Sequence, residues 1–156
     1  KFTPNGTFLM KWGSEGDKAG QFNVPYSIEI DPSDNIYVVD RGNDRIQKFT
    51  KDGNFTLEWG SRGDKDGEFE SPSGIAVDSS DNVYVIDDTG RIQKFTDEGK
   101  FIVSWGSDGN GDGEFSKPEG LDVGPDGNVY IADTANKRIQ VFGLSNGTVT
   151  TSVYGQ

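Results

Sequence analysis

Hydrophobic and polar positions alternate in short runs along this chain, and Gly, Asn, Asp and Ser residues separate the runs. In the middle of the chain the runs cover roughly Ser73–Val77, Asn82–Ile86, Gly90–Phe95 and Lys100–Trp105. Short runs rich in Val, Ile, Tyr and Phe are typical of β-strands. No window of the sequence shows a sustained helical period. The pattern therefore predicts four short antiparallel strands in this stretch, joined by tight polar turns.

The whole pattern occurs three times, in the similar stretches Ile28–Phe49, Ile75–Phe95 and Leu121–Phe142. Trp-Gly pairs precede or close these stretches 47 and then 46 residues apart, at Trp12, Trp59 and Trp105. A fixed period of this size indicates one supersecondary unit repeated in space. We assign the repeats to residues 14–60, 61–106 and 107–156 of a single domain. Residues 1–13 correspond to the end of a preceding unit.

The repeats resemble those of the NHL family. In the second unit the resemblance lies in the successive runs IAVD, NVYVID and RIQKF and in the closing Trp-Gly pair at Trp105. The NHL family forms β-propellers, commonly of six blades. The resemblance therefore implies an all-β propeller of four-stranded antiparallel blades. Three NHL-like blades and an extra leading strand imply an open arc, unless another chain or segment completes it.

This fold predicts where particular strands lie. The first strand of each blade should line the propeller axis, near Ile28–Ile30, Ile75–Val77 and Leu121–Val123. The leading strand is expected over Thr7–Trp12. The leading strand is one strand more than three four-stranded blades need. Either Thr7–Trp12 or Thr148–Tyr154 must therefore displace its counterpart or pair elsewhere, for example with an adjacent subunit.

Some polar and aromatic side chains recur in every repeat, and we interpret them as parts of the fold. An aspartate ends each second strand and an arginine opens each third strand, which predicts one ion pair or turn hydrogen bond per blade. These residues are Asp40, Asp87, Asp133, Arg45, Arg91 and Arg138. Large aromatics at repeating positions predict packing between blades, because they bury the most area per residue.

One loop of the third repeat departs from the others. Residues 108–119 fit the spacing of a calcium-binding loop, D-x-[DN]-x-[DN]-G-x₅-E. The oxygen ligands would be Asp108, Asn110, Asp112 and Glu119. The alternative is an acidic loop between blades that happens to fit, since the helices that flank such loops in EF-hands are absent from the pattern. No cofactor is required by the sequence, and calcium is the metal that these ligands favour.

Asn-x-Thr sequons for N-glycosylation occur at Asn5, Asn54 and Asn146. All three fall at the turn between the third and fourth strands, on one rim of the predicted blades. Hairpin chemistry alone is an alternative explanation for the Asn-Gly pairs at Asn5 and Asn146, but not for Asn54. Occupied sequons would imply an extracellular or cell-surface protein with glycans attached to asparagine.

Charge and composition exclude several classes of function. The formal net charge of −11 would repel phosphate backbones, so we do not expect nucleic-acid binding. No apolar run is long enough for membrane insertion. The sequence has no Cys and no His, so thiolate chemistry and the usual general base are missing. Some NHL relatives are lyases with metal-bound histidines, and this chain has none to match. We therefore predict that it is not an enzyme.

The remaining candidates are structural and binding roles. The sequence favours a secreted or cell-surface assembly protein, whose NHL-like blades associate with further blades or subunits into a completed propeller or a filament. An open arc would leave apolar blade faces that a soluble monomer does not tolerate. The alternative is a propeller binding module for a protein, peptide or glycan partner.

Overall fold

The computed structural model of the chain describes residues 1–145 and 148–152. Three four-stranded antiparallel sheets follow one another along the chain. The first sheet contains β1 (Pro25–Ile30), β2 (Ile36–Asp40), β3 (Arg45–Phe49) and β4 (Phe55–Trp59). The second contains β5 (Pro72–Val77), β6 (Val83–Asp87), β7 (Ile92–Phe95) and β8 (Phe101–Trp105). A short parallel pair, β9 (Ser107–Asp108) and β10 (Glu114–Phe115), precedes the third sheet. The third contains β11 (Gly120–Val123), β12 (Val129–Asp133), β13 (Arg138–Ser145) and β14 (Thr148–Ser152).

The three sheets are propeller blades, as the repeat pattern predicts. Each sheet has its strands in chain order, and the middle strands pair in corresponding registers, with Tyr37 opposite Lys48 and Tyr84 opposite Lys94. One turn of 3-10 helix, Arg41–Asn43, links β2 to β3, and the described residues contain no α-helix. The turn between the first two strands needs a left-handed backbone, which Asp34 and Asp81 adopt at φ 65° and 62°. Aspartate tolerates this region better than most residues.

The first strands are the innermost ones. β5 lies between β1 and β11 and contacts both, which agrees with the prediction that these three strands line the axis. The loop before each blade is closed by a short parallel pairing onto a phenylalanine. In the first two loops this is an isolated bridge, Glu15 to Phe22 and Arg62 to Phe69, and in the third it is the β9–β10 pair.

The core lies between blades. One buried cluster combines Tyr37, Val39 and Ile46 of the first blade with residues of the second blade and its loop, namely Phe69, Ile75, Val83, Val85 and Phe95. A second cluster joins the second and third blades in the same way. We call the face that packs against the preceding blade the leading face (Ile75, Val83, Val85 and Phe95 in the second blade). The opposite face is the trailing face (Tyr37, Val39 and Ile46 in the first blade).

The predicted leading strand over Thr7–Trp12 is not a strand in the structure. Residues 1–10 form a small local hairpin instead, in which Phe2 bridges Phe8 and the N–H of Leu9 donates to Lys1 O at 2.8 Å. The reason is that a fourth strand needs the edge of a third strand to pair with. In the described part of the chain, each third strand already has its own fourth strand.

Candidate functional site

The repeated aspartate and arginine form a structural network, as predicted. Arg45 Nε donates to Asp40 Oδ2 at 2.8 Å, and Arg138 Nε donates to Asp133 Oδ2 at 2.7 Å. The corresponding ion pair in the second blade, Arg91 to Asp87, is longer, 3.5 Å. All three carboxylates are fully buried. Because every blade places an arginine beside the same buried aspartate, we assign these groups to the fold and not to chemistry.

A buried glutamine in each third strand ties the blade to its loop. Gln47 Nε2 donates to Gln21 O at 2.7 Å, and its Oε1 accepts from the N–H of Gly20 at 2.8 Å. Gln93 and Gln140 repeat both bonds. The sequence pattern contained this signal in the repeated RIQ tripeptide, but periodicity alone did not indicate that the glutamine would be buried.

A tyrosine, an aspartate and a lysine meet on the trailing faces of the first two blades. Tyr37 Oη donates to Asp31 at 3.2 Å, and Lys48 Nζ lies 5.1 Å from the Tyr37 ring centroid. The second blade repeats this with Tyr84, Asp78 and Lys94. The third blade does not, because the corresponding positions are Gly124, Tyr130 and Val141.

Burial and hydrogen bonding shift the pKa values of these groups. Burial and the neighbouring Asp31 carboxylate raise the pKa of Tyr37 far above its usual range. Burial would by itself raise the pKa of Asp31, but hydrogen bonds from Asn35, Ser33 and Tyr37 outweigh it and lower the pKa. The tyrosines are therefore neutral donors and the aspartates are ionised acceptors at neutral pH, which suits an interface and not acid–base catalysis.

The two internal junctions between blades share one aromatic arrangement. Trp59 packs on Phe95 of the next blade with ring centroids 5.8 Å apart and a 53° tilt. Trp105 packs on Phe142 at 6.2 Å and 51°. Trp59 also covers Gly99, where a Cβ would come within 2.8 Å of the indole. Glycine is needed there both for this close approach and for its φ of 75°.

The leading face of the first blade is largely open. Ile28 is 57% exposed, whereas Ile75, at the same register position in the second blade, is 3% exposed. Ile30 is exposed to a similar extent. A pocket of about 350 Å³ lies on this face and is lined by Lys1, Trp12, Ile28, Ile30, Asp34, Ile36 and Lys51.

The trailing face of the third blade is open as well. Tyr130 is 39% exposed and Ile139 is 53% exposed, whereas Tyr37 and Ile46 at the same positions of the first blade are fully buried. Together, the two end faces expose the same kinds of residue that the internal junctions bury. They are the candidate functional surfaces of this chain, and exposed apolar patches of this kind mark interaction sites.

The structure does not bring the predicted calcium ligands together. Asp108, Asn110, Asp112 and Glu119 are exposed, and no group of three or more His, Cys, Asp or Glu among the described residues could hold a metal ion. The turn is held instead by Glu114 Oε2, which accepts the N–H groups of Asn110 and Gly111 at 3.1 and 2.9 Å. Calcium binding by this loop therefore stays a prediction of the sequence pattern.

Two of the three predicted glycosylation sites are described, and both are exposed. Asn54 lies just before β4. Asn5 Oδ1 accepts a hydrogen bond from the hydroxyl of Thr7, the third residue of its sequon, at 3.0 Å. Asn54 lies in the turn between β3 and β4, as predicted, whereas Asn5 lies in the hairpin of residues 1–10, and Asn146 falls outside the described residues.

No helix in residues 1–145 or 148–152 is long and apolar enough to cross a membrane.

Two family models match the chain. The NHL repeat model matches residues 115–142, and a model described as a 6-bladed β-propeller (DUF5128) matches residues 20–93.

Relatives of known sequence match over short stretches. The peptidyl-glycine α-amidating monooxygenase A of Xenopus laevis is 42% identical over 52 residues, which cover 30% of this chain and 6% of that protein. The NHL repeat-containing protein 3 of Homo sapiens is 40% identical over 42 residues, covering 26% of this chain and 12% of that protein. The chain therefore matches only a small part of the length of these relatives.

Among solved structures, a virginiamycin B lyase from Staphylococcus aureus superposes with a TM-score of 0.69 at 20% identity. The superposition covers 97% of this chain and 46% of the lyase, and at this identity it shows a shared fold. The repeated sequence pattern, the three four-stranded blades and both family models lead to the same conclusion: the chain is built of NHL-type repeats of a β-propeller.

Proposed function

We propose that this chain is a protein-interaction and assembly module that acts through the two end faces of its row of blades. The observation that carries the proposal is the contrast between equivalent residues. Ile75 is buried inside the chain and Ile28 is exposed at its end, and the same holds for Tyr37 and Tyr130. A repeat buries its apolar faces against neighbouring repeats. The partner of each end face therefore presents an apolar blade face like those that meet at the internal junctions.

The leading face of the first blade already contains one part of such a contact, the packed tryptophan. Trp12 packs on Phe49 at 6.1 Å and a 53° tilt, close to the Trp59–Phe95 arrangement. It also covers Gly53 as Trp59 covers Gly99, with a Cβ-to-indole distance of 2.9 Å. Residues near Trp12 thus occupy the place of a preceding blade's last strand. Ile28 and Ile30 remain exposed where the rest of that blade would pack.

We further propose that the module works outside the cell or on its surface and carries glycans at Asn5, Asn54 and Asn146. Exposure of Asn5 and Asn54 supports this, since the transferring enzyme must reach the amide. The hydrogen bond from the Thr7 hydroxyl to Asn5 Oδ1 brings the two polar side chains of this sequon into contact. Intact-mass analysis of protein from its native source, before and after deglycosylation, tests this. No mass difference would refute it.

A catalytic role has less support. The relatives include enzymes named as a monooxygenase and a lyase. This chain has no histidine, and its strongly shifted pKa values belong to the buried tyrosines between blades. We propose that it does not carry out lyase chemistry. Assays with amidating-lyase substrates, with and without added divalent metal, test this, and turnover above the buffer control would overturn it.

A binding module for a peptide or glycan is the second candidate, and one junction supports it. Arg41 pairs with Asp88 of the next blade at 2.5 Å and stacks 4.8 Å from the Tyr26 ring centroid. The residues that correspond to Tyr26 in the other blades are Ser73 and Glu119, so this cluster is specific to one junction. Tyr26 is 48% exposed and is available to a ligand.

The assembly proposal is tested by light scattering of the purified chain between micromolar and 100 micromolar concentration. We expect association that a charge on an end face abolishes, as in Ile28→Glu. The matched control is Ile102→Glu, an exposed isoleucine of β8 that does not line the pocket. Association that is equally strong in both variants, or a wild-type chain that stays monomeric, would refute the proposal.

A further inference from the structure

We propose that the partner of these end faces is a second copy of this chain, docked head to tail. The trailing face of the third blade of one copy packs on the leading face of the first blade of the other. This inference rests on the proposed function, which assigns both end faces to contacts between blades. Two copies joined twice in this way complete a closed ring of six blades, and a contact of this heterologous kind closes only if the rotation per blade allows it.

The charges at the first internal junction show how a lysine on one face is matched by the next blade, whereas at the second junction Lys94 Nζ bonds Asp78 of its own blade. Lys48 on the trailing face of the first blade reaches the β7–β8 turn of the second blade, where its Nζ donates to Asp97 O at 3.1 Å and lies 3.4 Å from Asp97 Oδ2. Lys48 is buried in this position. A lysine on one face is thus matched by an acidic residue on the turn that it meets.

The end faces carry different residues at the same two positions. The turn residue that corresponds to Asp97 in the first blade is Lys51, because Thr50 and Thr96 begin these turns with the same pair of hydrogen bonds. The trailing-face residue that corresponds to Lys48 in the third blade is Val141, opposite Tyr130 in the register. The contact from the third blade to the first therefore pairs Val141 with Lys51.

This change at both positions keeps a lysine–lysine contact out of the head-to-tail junction. The trailing faces of the first and second blades, which carry Lys48 and Lys94, are already packed inside the chain. A lysine on the open trailing face of the third blade would meet Lys51, and like charges in a closed interface disfavour a contact. Among the three blades, the third has the trailing face that presents no lysine at this position.

The third blade also supplies a negative charge near this place. Its Gly124 replaces Asp31, and the carboxylate of Asp126 turns into the space left, with Oδ1 2.6 Å from where a Cβ of Gly124 would lie. In the first junction, Asp97 is close enough to Tyr37 to raise the pKa of its hydroxyl. Lys51 of the second copy would therefore come close to Tyr130 and to Asp126, whose carboxylate carries the opposite charge.

The last strand of the joining blade comes from residues 7–12. Phe8 and Trp12 have the spacing of Phe55 and Trp59 in β4 and of Phe101 and Trp105 in β8. β14 has Thr150 in place of the phenylalanine. Because Trp12 already lies on Phe49 and Phe8 is 55% exposed, residues 7–12 of one copy would pair with the edge of β13 of the other and take the place of β14.

A pair of charge variants tests the contact, with light scattering and sedimentation as measurements. Val141→Lys is expected to weaken the association by at least about tenfold, because it places a lysine against Lys51. Adding Lys51→Asp recreates the Lys48–Asp97 pair and is expected to restore the affinity to within about threefold of wild type. Both side chains are already used at these positions of the repeat, so the variants are expected to fold, which circular dichroism checks.

The outcomes separate this inference from the proposed function. If the wild type associates and Ile28→Glu abolishes this, but Val141→Lys has no effect or Lys51→Asp does not rescue it, the head-to-tail contact is overturned and the assembly function stands. If the wild type does not associate at all, both fall. A mass of two chains is expected, and larger open assemblies would overturn the closed ring.

Cysteine cross-linking gives a second, independent test, since the chain has no native cysteine. Ile28→Cys and Ile139→Cys chains, mixed with a short bis-maleimide, are expected to form a cross-linked heterodimer. Each variant alone is expected to stay uncross-linked. Cross-linked homodimers of either variant would indicate a face-to-face contact between like ends and would overturn the proposal.

Removing β14 tests the strand replacement. A chain that ends at Gly143 is expected to associate at least as tightly as the wild type, because residues 7–12 no longer compete with β14 for the β13 edge. Loss of association on this truncation, in a chain that still folds by circular dichroism, would overturn the assignment of residues 7–12 as the last strand.

Discussion

Trp12 lies on Phe49 with ring centroids 6.1 Å apart and a tilt of 53°, almost the geometry of Trp59 on Phe95 one blade later. The first residues of the chain thus fill the tryptophan position of a junction without forming the strand that normally carries it. This contact covers Phe49, which is only 1% exposed although it lies on an end face.

Trp12→Ala is expected to destabilise the chain by roughly 1–3 kcal/mol, because it uncovers Phe49 and the adjoining cluster of Ile36 and Val38. Urea unfolding followed by circular dichroism measures the change. Leu9→Ala is the control, since Leu9 is 52% exposed and its loss should cost less than about 0.5 kcal/mol. Equal effects of the two substitutions would contradict this role of Trp12.

Asp40→Ala is expected to be among the most damaging substitutions. Asp40 accepts hydrogen bonds from Arg45 Nε, from Gln47 Nε2 and from the N–H of Asn23. Its loss removes the buried carboxylate of Arg45, which is only 7% exposed, and leaves Glu58, half-exposed and 3.0 Å from Nη1, as the remaining acidic partner. Breaking a buried pair in this way costs about 3–5 kcal/mol. Thermal unfolding measures the loss, with Asp52→Ala in an exposed turn as control, and a loss below about 1 kcal/mol would be inconsistent with the network.

Stability should fall in acid through the aspartates that accept hydrogen bonds. The folded-state pKa values of Asp31, Asp78 and Asp133 are lowered, since hydrogen bonds to each carboxylate outweigh the effect of burial. Their contribution is therefore fully present above the unfolded pKa of about 3.9 and is lost as the pH falls through the folded value.

Asp78→Asn tests this acid dependence. The difference in unfolding free energy between wild type and variant should be largest at neutral pH. It should shrink below about pH 4, where Asp78 of the unfolded chain takes up a proton, and disappear once the pH falls below the lowered pKa of Asp78 in the folded protein. Urea unfolding at a series of pH values measures it. A difference that stays constant from pH 7 to pH 3 would exclude the ionised Asp78 as its source.

The loop before the third blade should depend on Glu114 and tolerate its replacement by glutamine. Glu114 Oε2 accepts two backbone N–H groups of the turn, and in the first loop Gln21 Oε1 accepts the N–H of Lys18 at 3.2 Å. Glu114→Gln should therefore stay within about 0.5 kcal/mol of wild type, and Glu114→Ala should cost about 1 kcal/mol. The reverse order in thermal unfolding would contradict this role.

Calcium titration tests the loop spacing directly. Because Asp108, Asp112 and Glu119 do not converge on one point in the structure, calorimetric titration of the wild type should give no saturable heat. Asp112→Ala should behave identically. A saturable heat in the wild type that is lost in the variant would restore the calcium site that the sequence pattern predicts.

The sequence by itself determined the blades. Alternating runs with a period of 46 to 47 residues predicted four strands per repeat, and the predicted run Gly90–Phe95 differs from β7, Ile92–Phe95, by two residues. The recurrence of Asp40 and Arg45 in every copy also correctly indicated an ion pair of the fold. Such features depend on local hydrogen bonding and on side-chain alternation, and both follow directly from the local sequence.

Only the tertiary structure decided what depends on neighbours in space. The segment Thr7–Trp12 has the sequence of a last strand but is not one, because no free strand edge lies beside it within the described residues. The four ligands of the calcium pattern have the right spacing, but the loop turns on Glu114, and no group of three or more His, Cys, Asp or Glu among the described residues could hold a metal ion. Likewise Ile28 and Ile75 are equivalent in sequence, yet one is 57% and the other 3% exposed. Burial depends on what packs against a residue, and that is set by the arrangement of whole blades and not by the residue's place in the repeat.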